Sequence, residues 1–339
     1  MAKKVLISGY YGADNFGDEA ILETIIQRLN KYNADITVLS LNPKKTTEIH
    51  KVKAVNSFSF FDVLFAIINC DILISGGGSL LQDATSVKSL FYYLFVLMTA
   101  QLFGKITLIF AQGIGPIKNK LGEIITKSVL KKCSRVSVRD DKSLFLLRGW
   151  GINNAILVCD PIFNLEVKGS NPQNKVGVQL RKFKTLNEKL LITLANRIAL
   201  DFHDKEIEIY SFQDNNDLEL CRHFKQLLLS INSDMEVKVI CGKTQQEIID
   251  LMANLEYMIA MRFHAILIAI KYGIKTLAIS YDYKVENLAN EANIPLVSMS
   301  GNEDYGFVFN KLKNLNRRSL IEFANNKKFS WEQFDLFFK

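Results

Sequence analysis

Met261-Arg262-Phe263-His264-Ala265 sets a permanent cation and a titratable imidazole two residues apart. The short run Glu256–Ala260 before it reads as a buried strand and the apolar run Ala265–Ile270 after it as a buried helix, so Arg262 and His264 fall on a strand-to-helix turn. Ligands of open α/β sheets gather at the carboxyl ends of strands, where the first N–H groups of a helix face an anion. An Arg-x-His pair taken alone is more often an ordinary surface or capping feature. The rest of the chain decides between the two.

The same placement recurs. After the strand Lys4–Gly9 comes a loop, Tyr10 to Glu19, that carries Asp14, Asn15, Asp18 and Glu19 ahead of a helix over Ala20–Leu29. Asp18 suits the N-cap of that helix. Asp14 lies too far upstream to cap and is a candidate general base. The strand Asp71–Ser75 runs into Gly76-Gly77-Gly78-Ser79, which either offers N–H groups to an anion or needs positive φ angles. Gln112-Gly113 follows the strand Ile106–Ala111. Arg139 ends the strand after Ser134, where it either pairs with Asp140 or Asp141 or takes a planar carboxylate or phosphate. Lys284 follows the strand Thr276–Ser280 as a point charge for phosphate or a solvated helix-start lysine. Gly-x-Gly-x-x-Gly does not occur, and Gly242-Lys243-Thr244 has Val237 where the full P-loop pattern Gly-x-x-x-x-Gly-Lys-Ser/Thr needs its first Gly, which disfavours dinucleotide and P-loop chemistry.

Strand and helix alternate in two successive halves, which predicts an α/β fold of two Rossmann-like parallel-sheet domains facing across a cleft. Residues 163–175 lose periodicity and gather Gly, Ser, Asn and Pro, as a linker does. The expected domains are 1–170 and 175–315, with a helical tail at 316–339 returning to the first. Thr244-x-x-Glu247 predicts a capping box.

A chain of 339 residues, 48% hydrophobic, suits two domains with large cores. The five cysteines at 70, 133, 159, 221 and 241 lack metal or disulfide spacing, which fits a reducing cytoplasm and predicts no metal. The opening residues show no signal-peptide pattern, so secretion is not expected. The longest apolar stretch, Leu90–Phe103, is too short for a bilayer and contains Thr99 and Gln101. It reads as a buried helix in preference to a membrane-dipping segment. A net charge of +7 favours anionic partners, and the absence of zinc-finger, RNP-type or Arg-rich motifs argues against nucleic acid.

Taken in order, Tyr-Gly-Ala-Asp-Asn-Phe-Gly-Asp-Glu, Gly-Gly-Gly-Ser-Leu-Leu-Gln-Asp, Ala-Gln-Gly-Ile-Gly-Pro, Val-Arg-Asp and Met-Arg-Phe-His-Ala resemble the polysaccharide pyruvyl transferase family, in particular its CsaB type. The resemblance implies a GT-B-like arrangement, phosphoenolpyruvate as co-substrate without a further cofactor, and a 4,6-pyruvate ketal on a hexose such as N-acetylmannosamine. The acceptor it implies is a lipid-linked cell-wall saccharide at the inner leaflet, which a basic peripheral protein can visit. Phosphoenolpyruvate carries a carboxylate and a phosphate, so its pocket needs cations. Arg139, Arg262 and Lys284 are the candidates, with His264 as proton donor or aid to the leaving phosphate and Asp14 as base. Two other readings remain: a nucleotide-sugar glycosyltransferase and a non-catalytic saccharide- or anion-binding protein.

Overall fold

The β-branched and leucine runs of the sequence become the strands of two all-parallel sheets. The computed structural model of the protein describes residues 2–84, 86–165, 169–327 and 329–339. The chain divides into two units, Met1–Leu165 with Lys328–Lys339, and Glu166–Lys327.

In the first unit the strands are β1 (Lys4–Tyr11), β2 (Asp35–Ser40), β3 (Lys53–Asn56), β4 (Ile72–Ser75), β5 (Ile106–Gln112), β6 (Arg135–Val138) and β7 (Ala155–Leu157). Their order is β3-β2-β1-β4-β5-β6-β7, so the winding reverses between β1 and β4. Helices α1 (Phe16–Asn30), α2 (Pro43–His50), α3 (Phe60–Asn69), α4 (Val87–Leu102), α5 (Lys120–Lys132) and α6 (Asp141–Gly149) connect them. One continuous core joins Leu6, Leu73, Ile109 and Val136 of the sheet to Val63, Leu94, Val129 and Leu147 of α3 to α6. Those four helices therefore cover one face.

The second unit holds β8 (Lys175–Gln179), β9 (Glu206–Tyr210), β10 (Val237–Ile240), β11 (Tyr257–Ala260), β12 (Lys275–Ser280) and β13 (Leu296–Ser298), in the order β10-β9-β8-β11-β12-β13. Its helices are α7 (Glu188–Asp201), α8 (Asp214–Ile231), α9 (Gln245–Met252), α10 (Phe263–Lys271), α11 (Tyr283–Glu291), α12 (Tyr305–Lys313) and α13 (Arg317–Asn326). The capping box at Thr244 and Glu247 is formed. Ala265–Ile270 of α10 is wholly buried, because β11 and β12 lie on one side and α11 and α13 on the others.

Two boundaries differ from the sequence reading. Chain 161–164 still belongs to the first unit as a 3₁₀ turn capped by Asp160, so the division falls at 165 rather than 170. Residues 166–168, inside the expected linker, lie outside the described residues. The tail at 316–339 is not one piece. Arg317 donates to the Gly273 carbonyl at 3.0 Å and holds α13 in the second unit. Beyond it, Phe329, Trp331 and Phe334 pack on Phe110, with ring centroids 5.0, 5.1 and 5.0 Å away, and Arg28 pairs with Asp335. Those contacts place the last residues in the first unit.

The apolar stretch Leu90–Phe103 is also not a buried helix. Leu90, Leu94 and Leu97 of α4 are buried, but Phe95, Met98 and Leu102 are exposed, because α3 and α5 flank that helix without covering it. No helix among the described residues is long and apolar enough to cross a membrane.

Candidate functional site

At the carboxyl edge of the first sheet, the loop after β1 holds Asp14 in the left-handed region, at φ 56°, a conformation that Asp tolerates better than most residues. Asp14 is half exposed, and the Lys45 ammonium lies 2.6 Å from its Oδ1. Asn15, not Asp18, is the N-cap of α1: its side-chain oxygen accepts from the Gly17 N–H at 3.1 Å. Asp18 therefore sits within the first turn. The geometric reason is that Phe16 is already helical, which moves the cap three residues upstream.

A triad of buried Glu19 and His50 with the partly exposed Glu23 fixes this loop. Glu19 accepts from the Gly12 N–H at 2.7 Å through Oε1, and its Oε2 lies 3.0 Å from His50 Nε2. His50 Nδ1 lies 2.8 Å from Glu23. Burial alone would lower the His50 pKa, but the hydrogen bonds to Glu19 and Glu23 outweigh it and raise the pKa to about 9. Helix α2 thus supplies both Lys45 beside Asp14 and His50 beneath it.

The glycine run after β4 is accounted for by close packing. A Cβ on Gly76 would stand 1.9 Å from the Tyr11 hydroxyl, one on Gly77 would stand 2.8 Å from Ile21, and Gly78 has φ +95°. Ser79, next in the loop, is partly exposed. Gln112, fully buried, donates through Nε2 to Ser75 Oγ and to the Gly76 carbonyl, both at 2.7 Å, while the Gly113 N–H donates to the Gly78 carbonyl at 2.8 Å. Gln112 Oε1 and the Tyr11 hydroxyl are buried without a hydrogen-bond partner among the described residues. Burial, then Asp18 and Glu19, push the Tyr11 phenol well above its ordinary pKa, so it stays neutral.

Arg139 does not pair with Asp140 or Asp141. Asp140 caps α6 by accepting from the Ser143 N–H at 2.8 Å. Arg139 Nη1 instead donates to Asp160 at 2.8 Å, and both side chains are nearly buried. Its Nε–H is buried with no partner among the described residues.

The carboxyl edge of the second sheet carries more positive charge. The register aligns Gln179 with Ala260 and Ala260 with Ala278, so the residues two further on, Arg181, Arg262 and Ser280, end three adjacent strands at one level. Arg262 caps α10. Its N–H donates to Gln179 Oε1 at 2.8 Å, and its Nε and Nη2 grip the two oxygens of Asp217 at 3.0 and 2.8 Å. Asp217 is fully buried, so much of the Arg262 charge is neutralised within the fold. His264 stands in the first turn of α10, partly exposed and edge-on to Phe263 at 5.3 Å. Lys284 stands in the first turn of α11, partly exposed, and Asp282 caps that helix by accepting from the Lys284 and Val285 N–H groups, each at 3.0 Å.

Two residues of this edge escape a sequence reading. Asp217 lies inside a helix with no local sign of its role. Arg181 has the sign that picked out Arg139, a basic residue directly after a buried strand. Its Nη1 donates to the Tyr281 hydroxyl at 3.2 Å, and its guanidinium lies 5.4 Å from the centre of that ring. Among the described residues, no group of three His, Cys, Asp or Glu could hold a metal ion.

The sequence model of the polysaccharide pyruvyl transferase family matches residues 15–283. No curated protein sequence matches the chain. Among solved structures, the S. aureus MnaA–UDP complex is similar with a TM-score of 0.65 at 8% identity, over 99% of this chain and 95% of that one. The UDP-GlcNAc 2-epimerase of Methanocaldococcus jannaschii has a TM-score of 0.63 at 14% identity, over 96% and 99%. Anabaena Alr3699/HepE in complex with UDP and glucose has a TM-score of 0.59 at 12% identity, over 96% and 94%. At such identities the likeness speaks for the GT-B-like pair of parallel-sheet domains, and the family match speaks for the reaction.

Proposed function

The chain belongs to the polysaccharide pyruvyl transferase family, and from that premise we propose that it moves the pyruvyl group of phosphoenolpyruvate onto two hydroxyls of a hexose in a lipid-linked cell-wall precursor. The carrying observation is that Arg181 and Arg262 end adjacent strands at one level of the second unit, with His264 and Lys284 in the first turns of the helices that follow β11 and β12. A dianionic or trianionic donor needs several cations at once, and helix N-termini add to them.

In this reading Lys284 and Arg181 hold the donor's charged groups, and Arg262, anchored on Asp217, fixes the turn that presents His264. His264 gives a proton to the methylene carbon of the enol phosphate. The electron pair of the double bond forms the new C–H bond, and C2 becomes cationic. A sugar hydroxyl adds there as Asp14 takes its proton. Phosphate then leaves with the electrons of its C–O bond and the proton held by Asp14, and the second hydroxyl closes the ketal at C2 as its proton returns to His264. Arg139, held by Asp160, is the first unit's cation in this reading. N-acetylmannosamine is the proposed hexose, as in the CsaB type.

Neighbours solved with UDP make a nucleotide-sugar transferase the second reading. The test is phosphate release from phosphoenolpyruvate over a panel of lipid-linked or aryl disaccharides, beside thermal shifts with phosphoenolpyruvate and with UDP-sugars. Acceptor-dependent phosphate release supports the pyruvyl reading. A thermal shift with UDP-sugars alone, without phosphate release, replaces it.

A further inference from the structure

The outward face of α3 and α4 carries an apolar surface that the transfer chemistry does not use. Phe61, Phe65 and Ile68 recur at spacings of four and three along α3, and Phe95, Met98 and Leu102 at three and four along α4, so each set lies on one helix face. Both helices bury their opposite faces in the same core on the same side of the sheet. The two exposed faces therefore look the same way. Phe60 joins them, its ring 5.8 Å from Phe95 and 5.6 Å from Phe61. Phe58, Phe61, Phe65 and Leu102 are 83, 79, 71 and 84% exposed, an unusual cost for side chains that the fold does not require there.

Charge frames this surface. Between Ser86 and Ser134 there are seven lysines and one acidic residue, Glu123, which is ion-paired with Lys127 at 2.6 Å. Lys105 donates to the Ile68 carbonyl at 2.7 Å and so sits at the carboxyl end of α3, beside the patch. Lys131 and Lys132 are exposed at the end of α5. Asp62 and Asp71, both exposed, are the nearby acidic groups on the α3 side.

We propose that this layer is a membrane-docking surface: its phenylalanines enter the interfacial zone of a bilayer, and the flanking lysines meet anionic headgroups. A second copy of the chain is a poorer occupant, because a two-fold contact would set the same lysine-rich border against itself. An anionic leaflet removes that repulsion. The inference rests on the patch and not on the transfer chemistry, and a soluble aryl acceptor keeps the two separable.

Flotation of the full chain with vesicles of phosphatidylcholine, alone or mixed with phosphatidylglycerol, tests it. The wild type is expected to bind the mixed vesicles, less so as salt is raised. The pair Phe61→Ser with Phe65→Ser is expected to weaken binding about tenfold or more. Lys131→Glu with Lys132→Glu is expected to weaken it and flatten its salt dependence. Thermal midpoints and turnover on the soluble acceptor are expected to stay as in the wild type. In Phe61→Trp, emission in excess of that from Trp150 and Trp331 is expected to shift to the blue on mixed vesicles and to be quenched by brominated lipid. Indifference of the wild type to vesicles, or of binding to the phenylalanine pair, overturns the proposal. So does a dimer in solution that the phenylalanine pair splits while vesicles go unbound, which assigns the face to a second copy.

Discussion

At the carboxyl edge of the first sheet most polar groups bind one another. Gln112 holds Ser75 and Gly76, Glu19 holds Gly12 and His50, and Arg139 is largely taken up by Asp160. At the same edge of the second sheet, Arg181, His264 and Lys284 are partly exposed, and only Arg262 is drawn inward, by Asp217. The two units share a winding, yet one edge is a frame of mutually bound polar groups beside the half-exposed Asp14 and the other a row of basic side chains. Parallel winding places loops at a common level; the side chains on those loops decide the chemistry.

The sharpest way to break this contrast is to remove the inward anchor of the cationic edge. Asp217→Ala strands a nearly buried guanidinium and is expected to cost about 3–5 kcal/mol of stability in a denaturant titration. Replacing both partners by apolar residues, Asp217→Leu with Arg262→Met, is expected to recover much of that loss. If the single change costs nothing, Arg262 is free to serve the donor directly.

The frame of the first edge should answer to pH. The folded-state pKa of His50, about 9, lies above its ordinary 6.5. Its contribution is therefore complete below about pH 6.5 and lost as pH rises through about 9, and amounts to about 3 kcal/mol. Stability measured from pH 6 to 10 is expected to fall across that window in the wild type and to stay flatter in His50→Gln. Equal slopes would detach the triad from the frame.

A smaller effect tests the glycine packing. Gly76→Ala places a Cβ 1.9 Å from the Tyr11 hydroxyl and is expected to cost about 1–3 kcal/mol. With Tyr11→Phe the next contact is the ring carbon at 3.1 Å, so the double variant is expected to regain most of the loss. Tyr11→Phe alone is expected to be neutral or slightly stabilising, because it removes a buried hydroxyl without a partner. Smallest in energy, Lys284→Ala and Arg181→Ala are each expected to weaken phosphoenolpyruvate binding about tenfold in calorimetry, which is about 1.4 kcal/mol, at unchanged thermal midpoint. Unchanged affinity in both would move the donor away from this edge.

The strands that form the two sheet centres were legible because both faces of each are covered and their residues are almost continuously apolar. What escaped is partly exposed or depends on distant partners. Strand β3 has no fully buried residue and β13 has one, so neither shows an apolar run. Helix α2 is mostly polar, yet Asn42-Pro43 is a start signal that marks it: Asn42 accepts from the Lys45 N–H and Pro43 opens the helix. Asp14, Arg139, Arg262, His264 and Lys284 all lie at strand or helix ends, where the sequence pattern puts them. Their partners Lys45, Asp160 and Asp217 are 31, 21 and 45 residues from Asp14, Arg139 and Arg262, a pairing that only the fold specifies.

Single-turnover phosphate release from phosphoenolpyruvate, with a lipid-linked N-acetylmannosamine acceptor, bears most directly on the proposed roles of His264 and Asp14. The account predicts acceptor-dependent release by the wild type, and release slowed about a hundredfold or more in His264→Ala and in Asp14→Asn, with the donor-induced thermal shift retained in both. Release by either variant at the wild-type rate would contradict it.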